Sequence, residues 1–334
     1  MSFPTYVPME VGLYPTLYPN VPSFPKAKQL LICYSIKKAK FRSIMEKRDW
    51  MLQDKLQDPV VQAGWLHEHL KDPSVVILDC RFILGQPDVG RVEYDAGHIP
   101  GAIYLSLDSD LSGPKTEQGH GGRHPLPSIS AMEELFSRIG IDQHTTVVAY
   151  DGVDMAMAAR LWWMLRYVGH ESVYVLDGGY AAWNKDNYPI STEILHREPR
   201  SFTANVQPDM LLTKHAVEQR EATTPLLDSR APERYRGDVE PLDSKAGHIP
   251  GAECFFYKNT LQADGTLKTK EQLQNHFGEL LKQKHIIVYC GSGVTACVNL
   301  LALMRADRPD AMLYGGSWSD WSSYEDSPVA TGDE

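Results

Sequence analysis

The chain has 334 residues, 43% of them hydrophobic and 23% charged, with a formal net charge of −10. This is an ordinary globular composition with room for two domains. The acidic balance argues against nucleic acid or an anionic membrane surface as a partner, and no run of about 18 apolar residues could span a bilayer. The five cysteines (Cys33, Cys80, Cys254, Cys290 and Cys297) form no Cys-x-x-Cys pair. They indicate neither a zinc site nor a disulfide framework, and a reducing, cytoplasmic compartment is expected.

Residues 1–55 are set apart as an N-terminal extension expected to be disordered. The segment Met1 to Pro25 is rich in Pro and Tyr and has no period. Lys26 to Arg48 then carries eight Lys or Arg and one acid, Glu46. Leu30 to Tyr34 is too short for a signal-peptide core, and a targeting or membrane-surface segment is the competing reading. From about residue 56 the pattern is regular. Val60–Leu70 reads as an amphipathic helix, Val75–Asp79 as a buried strand and Ser130–Ile139 as a helix. Thr146–Tyr150 reads as a strand, Met155–Val168 as a helix and Val173–Leu176 as a strand. Strands alternating with helices imply an α/β fold with a parallel sheet covered on both faces.

The pattern then repeats. Leu227-Asp228-Ser229-Arg230 echoes Leu78-Asp79-Cys80-Arg81, and Ala246–Ala252 duplicates Ala96–Ala102 without a mismatch. His285–Tyr289 echoes Thr146–Tyr150, and Tyr314–Trp318 echoes the stretch from Asp177. The spacing of about 140 to 150 residues indicates a tandem duplication of one α/β unit. The expected boundaries are 56–190 for the first domain, 191–209 for a polar linker with Pro199 and Pro208, and 210–334 for the second domain. His98 and His248 lie in the repeated Gly-His-Ile-Pro-Gly-Ala. That stretch is turn chemistry present in both halves, so a structural role is expected for both. Asp79/Arg81 and Asp228/Arg230 are expected to be structural ion pairs.

One stretch differs between the halves. His285–Tyr289 is an apolar run that ends at Cys290. Gly291-Ser292-Gly293-Val294-Thr295 follows, then the helical pattern Ala296–Ala306. This places a thiol at the carboxyl end of a strand, facing the first turn of a helix. Unpaired N–H groups carry partial positive charge there. Glycines let the loop turn its N–H groups inward, so Cys290 reads as a nucleophile with a lowered pKa. Cys297 is apolar-flanked and reads as packing. The loop lacks the Gly-Lys-Ser/Thr of a phosphate loop, and Ala296 stands where a Cys phosphatase would need arginine. In the first half the corresponding strand ends in Asp151-Gly152-Val153-Asp154. A carboxylate is not a thiol nucleophile, so that half is expected to be a degenerate copy forming the opposite wall of a cleft.

Cys290-Gly291-Ser292-Gly293-Val294-Thr295-Ala296 resembles the active-site loop of the two-domain rhodanese-like sulfurtransferases, and more narrowly of the 3-mercaptopyruvate branch. The likeness extends over residues 56–330 and implies two tandem rhodanese-like domains. It also implies that Asp108 and His124 face the cysteine and that Arg234 binds a substrate carboxylate. His120 and His124 also stand at i, i+4, but no third ligand or helix supports a metal there. The branch has a second substrate arginine about nine residues after the first. Here Glu240-Pro241-Leu242-Asp243 has none, with Leu242 at the equivalent place, and Arg236 or Lys245 is the candidate substitute. The implied chemistry is transfer of sulfane sulfur from 3-mercaptopyruvate through a Cys290 persulfide to cyanide, a small thiol or a thioredoxin-like protein. Ser292 and Thr295 would donate hydrogen bonds, and the N–H groups from Gly291 to Thr295, including those of Gly293 and Val294, would hold the anion. No metal or organic cofactor is implied, and a monomer is expected. Thiosulfate is the alternative donor, disfavoured by the uncharged Gly291-Ser292. A non-catalytic rhodanese-like binding module is the reading from another class.

Overall fold

In the computed structural model, residues 58–152 and 154–333 are described, and the extension expected over residues 1–55 lies outside them. The first half runs β1 (Val60–Val61), α1 (Ala63–Glu68), β2 (Val75–Asp79), α2 (Val89–Ala96), β3 (Ala102–Tyr104), α3 (Ile129–Arg138), β4 (Thr146–Tyr150), α4 (Ala156–Tyr167), β5 (Val173–Leu176) and α5 (Gly179–Lys185). The second half repeats the order: β6 (Leu211–Leu212), α6 (Lys214–Glu218), β7 (Leu226–Asp228), α7 (Pro232–Arg236), β8 (Glu253–Cys254), α8 (Lys270–Phe277), β9 (Ile287–Tyr289), α9 (Ala296–Arg305), β10 (Met312–Tyr314) and α10 (Ser317–Trp321). Both sheets are parallel. Their orders, β1-β5-β4-β2-β3 and β6-β10-β9-β7-β8, are the same when matched strand for strand.

Alternation along the strands explains why they read as unbroken apolar runs. Val76, Leu78, Val147 and Ala149 enter one core, while Val75, Ile77, Val148 and Tyr150 enter another on the opposite face. In the second sheet Leu227, Val288 and Leu313 face the first of these cores, and Leu226, Ile287 and Tyr289 face a third. A parallel sheet buried on both faces needs apolar residues at every position. The first core is shared between the two halves. The long helices α4 and α9 pack within it, with nine of twelve and nine of ten residues buried.

The repeated polar motifs form the same frame twice. Arg81 bonds the Asp79 carboxylate at 2.7 Å and the Gly97 carbonyl at 2.8 Å, and Arg230 bonds Asp228 at 2.6 Å and the Gly247 carbonyl at 2.7 Å. His98 stacks on Tyr94 and its Nδ1 pairs with the Tyr94 carbonyl, while His248 does the same with Tyr235. Gly101 and Gly251 take φ of 82° and 76° in the turns that follow. These histidines and aspartates build the fold, as their repetition implies.

Some elements differ from expectation. The stretch 60–70 is strand β1 followed by the six-residue helix α1, not one helix. Helix α3 starts one residue early, where the Ser128 hydroxyl accepts from the Ala131 N–H. Between residues 192 and 207 the chain has no helix or strand. It is tied to the first half by Arg200 N–H to the Ser137 carbonyl, Asn205 N–H to the Val168 carbonyl and the buried Phe202 ring.

Candidate active site

The two strand ends that differ in sequence occupy the same position in the two halves. In the first, Tyr180 and Ala181 donate their N–H groups to the carbonyls of Asp151 and Gly152 at 2.8 and 3.2 Å. In the second, Trp318 and Ser319 donate to Cys290 and Gly291, both at 2.9 Å. Asp151 and Cys290 are therefore structural counterparts. The Asp151 carboxylate is buried and accepts from the N–H groups of Met155, Met157 and Ala158, so it fills the anion cradle at the start of its own helix. Burial and the neighbouring Asp154 carboxylate raise its pKa to about 7.

The matching cradle in the second half is open. Among the described residues, the N–H groups of Gly291 to Ala296 have no acceptor, and they ring the start of α9 beside the Cys290 thiol. Cys290 is 1% exposed. Its own N–H donates to Ser317 Oγ at 3.1 Å, and Ser317 Oγ donates to the Tyr314 carbonyl at 2.9 Å. Gly293 has φ of 76°, and a side-chain carbon there would lie 2.3 Å from the Gly315 carbonyl oxygen. Only glycine fits that turn. Gly293 does not line the cleft; it bends the loop from behind.

A cleft of about 290 Å³ opens in front of Cys290, lined from the second half by Gly291, Ser292, Val294, Thr295, Arg230 and Arg234, and from the first by Arg123 and His124. The first-half loop is fixed in place by α10. Asp320 Oδ1 accepts from the Gly121 N–H at 2.8 Å, and Ser319 Oγ accepts from the Arg123 N–H at 3.0 Å. His124 Nδ1 then lies 2.7 Å from Ser292 Oγ. Burial, helped by Arg123 and Arg160, lowers the His124 pKa to about 3, so the ring is neutral near pH 7. Asp108 stands 3.6 Å from His124 Nε2 with its side chain 41% exposed. It borders the histidine from outside and is not among the cleft-lining residues. His120 stacks on Tyr324 at 4.0 Å between ring centroids, so the two histidines of that loop serve different neighbours.

The arginines hold a finding that the sequence did not reveal. Arg234 pairs with Glu240 at 2.7 Å and with Asp243 at 3.2 Å. Arg123 pairs with the other oxygen of Asp243, and Arg230 reaches Glu240 at 3.3 Å. A side-chain carbon at Gly291 would lie 3.0 Å from Arg123 Nη2 and 3.4 Å from Arg234 Nη1. The space beside the uncharged Gly291 is thus filled by two guanidiniums from elsewhere in the chain, and the cleft is not poor in cations. Neither candidate substitute for the missing second arginine reaches it. Arg236 pairs with the exposed Asp238 at 2.8 Å, and the Lys245 ammonium donates to the carbonyls of Tyr324 and Glu325. Arg123 lines the cleft beside Gly291 instead. The one sequence hint was its place directly before His124.

Of the remaining described cysteines, Cys297 is fully buried and donates to the Gly293 carbonyl at 3.4 Å, and burial raises its pKa. Cys80 is buried and Cys254 half-buried, its thiol pushed up to about 11 mainly by desolvation. A larger groove of about 580 Å³, lined by Leu211, Lys214, Tyr314 and Tyr324 among others, has no cysteine in its lining.

A two-fold repeat of a parallel α/β sheet, with one thiol at a strand end under an open ring of N–H groups, defines a class of proteins built for cysteine-centred anion chemistry. The rhodanese-like domain family model matches residues 62–186 and 212–324, and the chain belongs to that family. It is 43% identical to a protein of Pseudomonas aeruginosa named "Probable 3-mercaptopyruvate sulfurtransferase", over 82% of this chain and 98% of that one. It is 33% identical to the "Thiosulfate/3-mercaptopyruvate sulfurtransferase 1, mitochondrial" of Arabidopsis thaliana, over 81% of this chain and 78% of that one. The crystal structure of SseA from Escherichia coli, titled as a 3-mercaptopyruvate sulfotransferase, superposes with a TM-score of 0.69 at 34% identity, covering 78% of this chain and 99% of that one.

Proposed function

We propose that the chain is a sulfurtransferase that takes sulfane sulfur from 3-mercaptopyruvate, carries it as a persulfide on Cys290 and passes it to a thiophilic acceptor. The observation that carries this is the contrast between the two strand ends: one cradle is filled by its own carboxylate, and the other is open around a thiol in a cleft lined with guanidiniums. The relatives' names supply the donor.

In the first step the Cys290 thiolate attacks the donor sulfur. The new S–S bond forms as the donor C–S bond breaks. The electron pair leaves on carbon as the enolate of pyruvate, which is then protonated. The free N–H groups of Gly291, Ser292, Val294 and Thr295 hold the anionic sulfur, and Gly293 shapes the loop that aims them. Ser292, fixed by the neutral His124 ring, and Thr295 donate hydrogen bonds, with Asp108 at the edge of that relay. Arg234 takes the donor carboxylate. In the second step cyanide or a thiolate attacks the outer sulfur and restores the Cys290 thiolate. Neither step calls on a metal or organic cofactor. A reduced thioredoxin-like protein, a monomeric state and a reducing cytoplasmic setting fit this chemistry, the last because the described cysteines are free thiols.

Thiosulfate is the second reading, favoured by the guanidiniums beside Gly291. The deciding measurement compares pyruvate release from 3-mercaptopyruvate with sulfur transfer from thiosulfate, with cyanide as acceptor and Cys290→Ser as control. The expected result is a preference of about tenfold or more for 3-mercaptopyruvate and an inactive variant. A preference for thiosulfate would reassign the donor. No turnover of either with Cys290 intact would leave a binding module.

A further inference from the structure

Arg160 lies on α4 of the first half, yet its guanidinium ends beneath the Cys290 loop of the second. The residue is fully buried. Its Nη1 donates to the Gly293 carbonyl at 2.9 Å, and its Nη2 donates to the carbonyls of His124 at 3.1 Å and Leu111 at 3.2 Å. Its Nε is buried without an acceptor. Among the described residues no carboxylate pairs with it. The other arginines near Cys290 are compensated by acids: Arg123 by Asp243, Arg234 by Glu240 and Asp243, and Arg230 by Asp228 and Glu240.

A buried cation served only by neutral carbonyls is expensive to keep. Burial pulls its proton affinity below the usual guanidinium range, and the groups that push it back up are the Cys297 and Cys290 thiols. Cys297 is committed to the Gly293 carbonyl, and burial raises its pKa. That leaves Cys290 as the one of the two placed to become an anion.

We propose that Arg160 is the fixed counter-charge of the Cys290 thiolate and of the persulfide formed on it, supplied across the boundary between the halves. It touches no substrate and acts by position, holding the carbonyls of Gly293 and His124 while its charge stays behind the loop. The inference rests on the reading of Cys290 as the nucleophile. It gives the degenerate half an electrostatic task beyond forming a wall.

The alternative is that Arg160 is only a strap joining three carbonyls, and thiol titration separates the two. Facing Cys290 from other elements are Arg123, His124, Arg230, Arg234, Tyr257 and Lys258. These are unchanged in an Arg160 variant, so a change in the profile reports Arg160. Iodoacetamide alkylation of the full chain is followed from pH 5 to 10, with Cys290→Ser as the blank for the other thiols and urea midpoints as the check on folding. Arg160→Gln is expected to move the midpoint of the rate profile up by about one pH unit, because removing a cation disfavours the thiolate. Arg160→Lys, which keeps the charge and loses carbonyl bonds, is expected to return it most of the way while stability falls. An Arg160→Gln profile that overlays the wild type would overturn the proposal. Should that variant fail to fold, an Arg160→Lys profile displaced as far as a full unit would do so. The readout needs no donor. Normal alkylation without turnover would sink the sulfurtransferase reading alone, whereas an inert Cys290 in the wild type would remove both.

Discussion

Asp243 is the residue where charge and specificity meet. Its side chain is nearly buried behind the cleft arginines and shares its two oxygens between Arg123 and Arg234. Desolvation raises its carboxyl pKa, opposed chiefly by Arg123. A donor carboxylate that approaches Arg234 therefore meets a guanidinium already engaged by Glu240 and Asp243, and it gains only the difference between two carboxylate contacts. Removing one internal competitor is expected to tighten donor binding. Asp243→Asn is expected to lower the KM for 3-mercaptopyruvate about three- to tenfold with kcat little changed, since the contact is made equally in ground and transition states. Pyruvate is expected to inhibit the variant more strongly. Initial rates at varied donor and pyruvate concentrations test both. A raised KM would mean instead that Asp243 holds the two arginines in position.

At the scale of elements, the loop between β9 and α9 depends on one backbone turn. Gly293 sits at φ 76° against the Gly315 carbonyl oxygen, so a methyl group there is strained and also obstructed. Gly278, at φ 49°, has nothing within 4 Å of the same added carbon. Gly293→Ala is expected to cost about 2 to 4 kcal/mol and most of the activity, and Gly278→Ala only about 1 kcal/mol and none of the activity. Equal urea midpoints for the two variants would show that the loop yields. This turn was legible in the sequence because two glycines bracket a serine just after a β-branched strand. Strands β2, β4 and β5 were legible to the residue because both their faces are buried. The two-residue strands β1, β6 and β8 were not, since two residues carry no period and each is a sheet edge with a single neighbour. Helix α2 was missed because only Gly90 and Tyr94 of its eight residues are buried. The partners of Arg123 and Arg160 could not be read at all. Each joins residues more than a hundred positions away in the other half, and the only trace of Arg160 was a charged residue inside an apolar helix.

For the molecule as a whole, the repeat invites a picture of two independent modules, and the packing opposes it. Helices α4 and α9 are buried on nearly all sides, in one core to which both sheets contribute. Helices that are apolar all round cannot face water when the halves separate. Polar contacts also cross the boundary: Arg160 to the Gly293 carbonyl, Asp177 accepting from the Leu267 N–H at 2.7 Å, and Tyr257 donating to Asp154 at 2.8 Å. Boundaries between domains are usually small and polar enough for each domain to keep its own stability. Here each half would expose a face of the shared core and strand a buried arginine, carboxylate or phenol. The two halves are therefore expected to unfold together. Fluorescence in the Trp-rich first half, with Trp162, Trp163 and Trp183 buried, can be followed in a variant whose second-half Trp318 and Trp321 are replaced by Phe. Alkylation of the buried Cys297, in a variant lacking the other cysteines, reports the second half. Coincident midpoints in urea are expected from the two probes. If Cys297 became reactive well before the first-half fluorescence changed, the shared core would not be the unit of stability. The charge that Arg160 provides could then be withdrawn by local opening without loss of the first half.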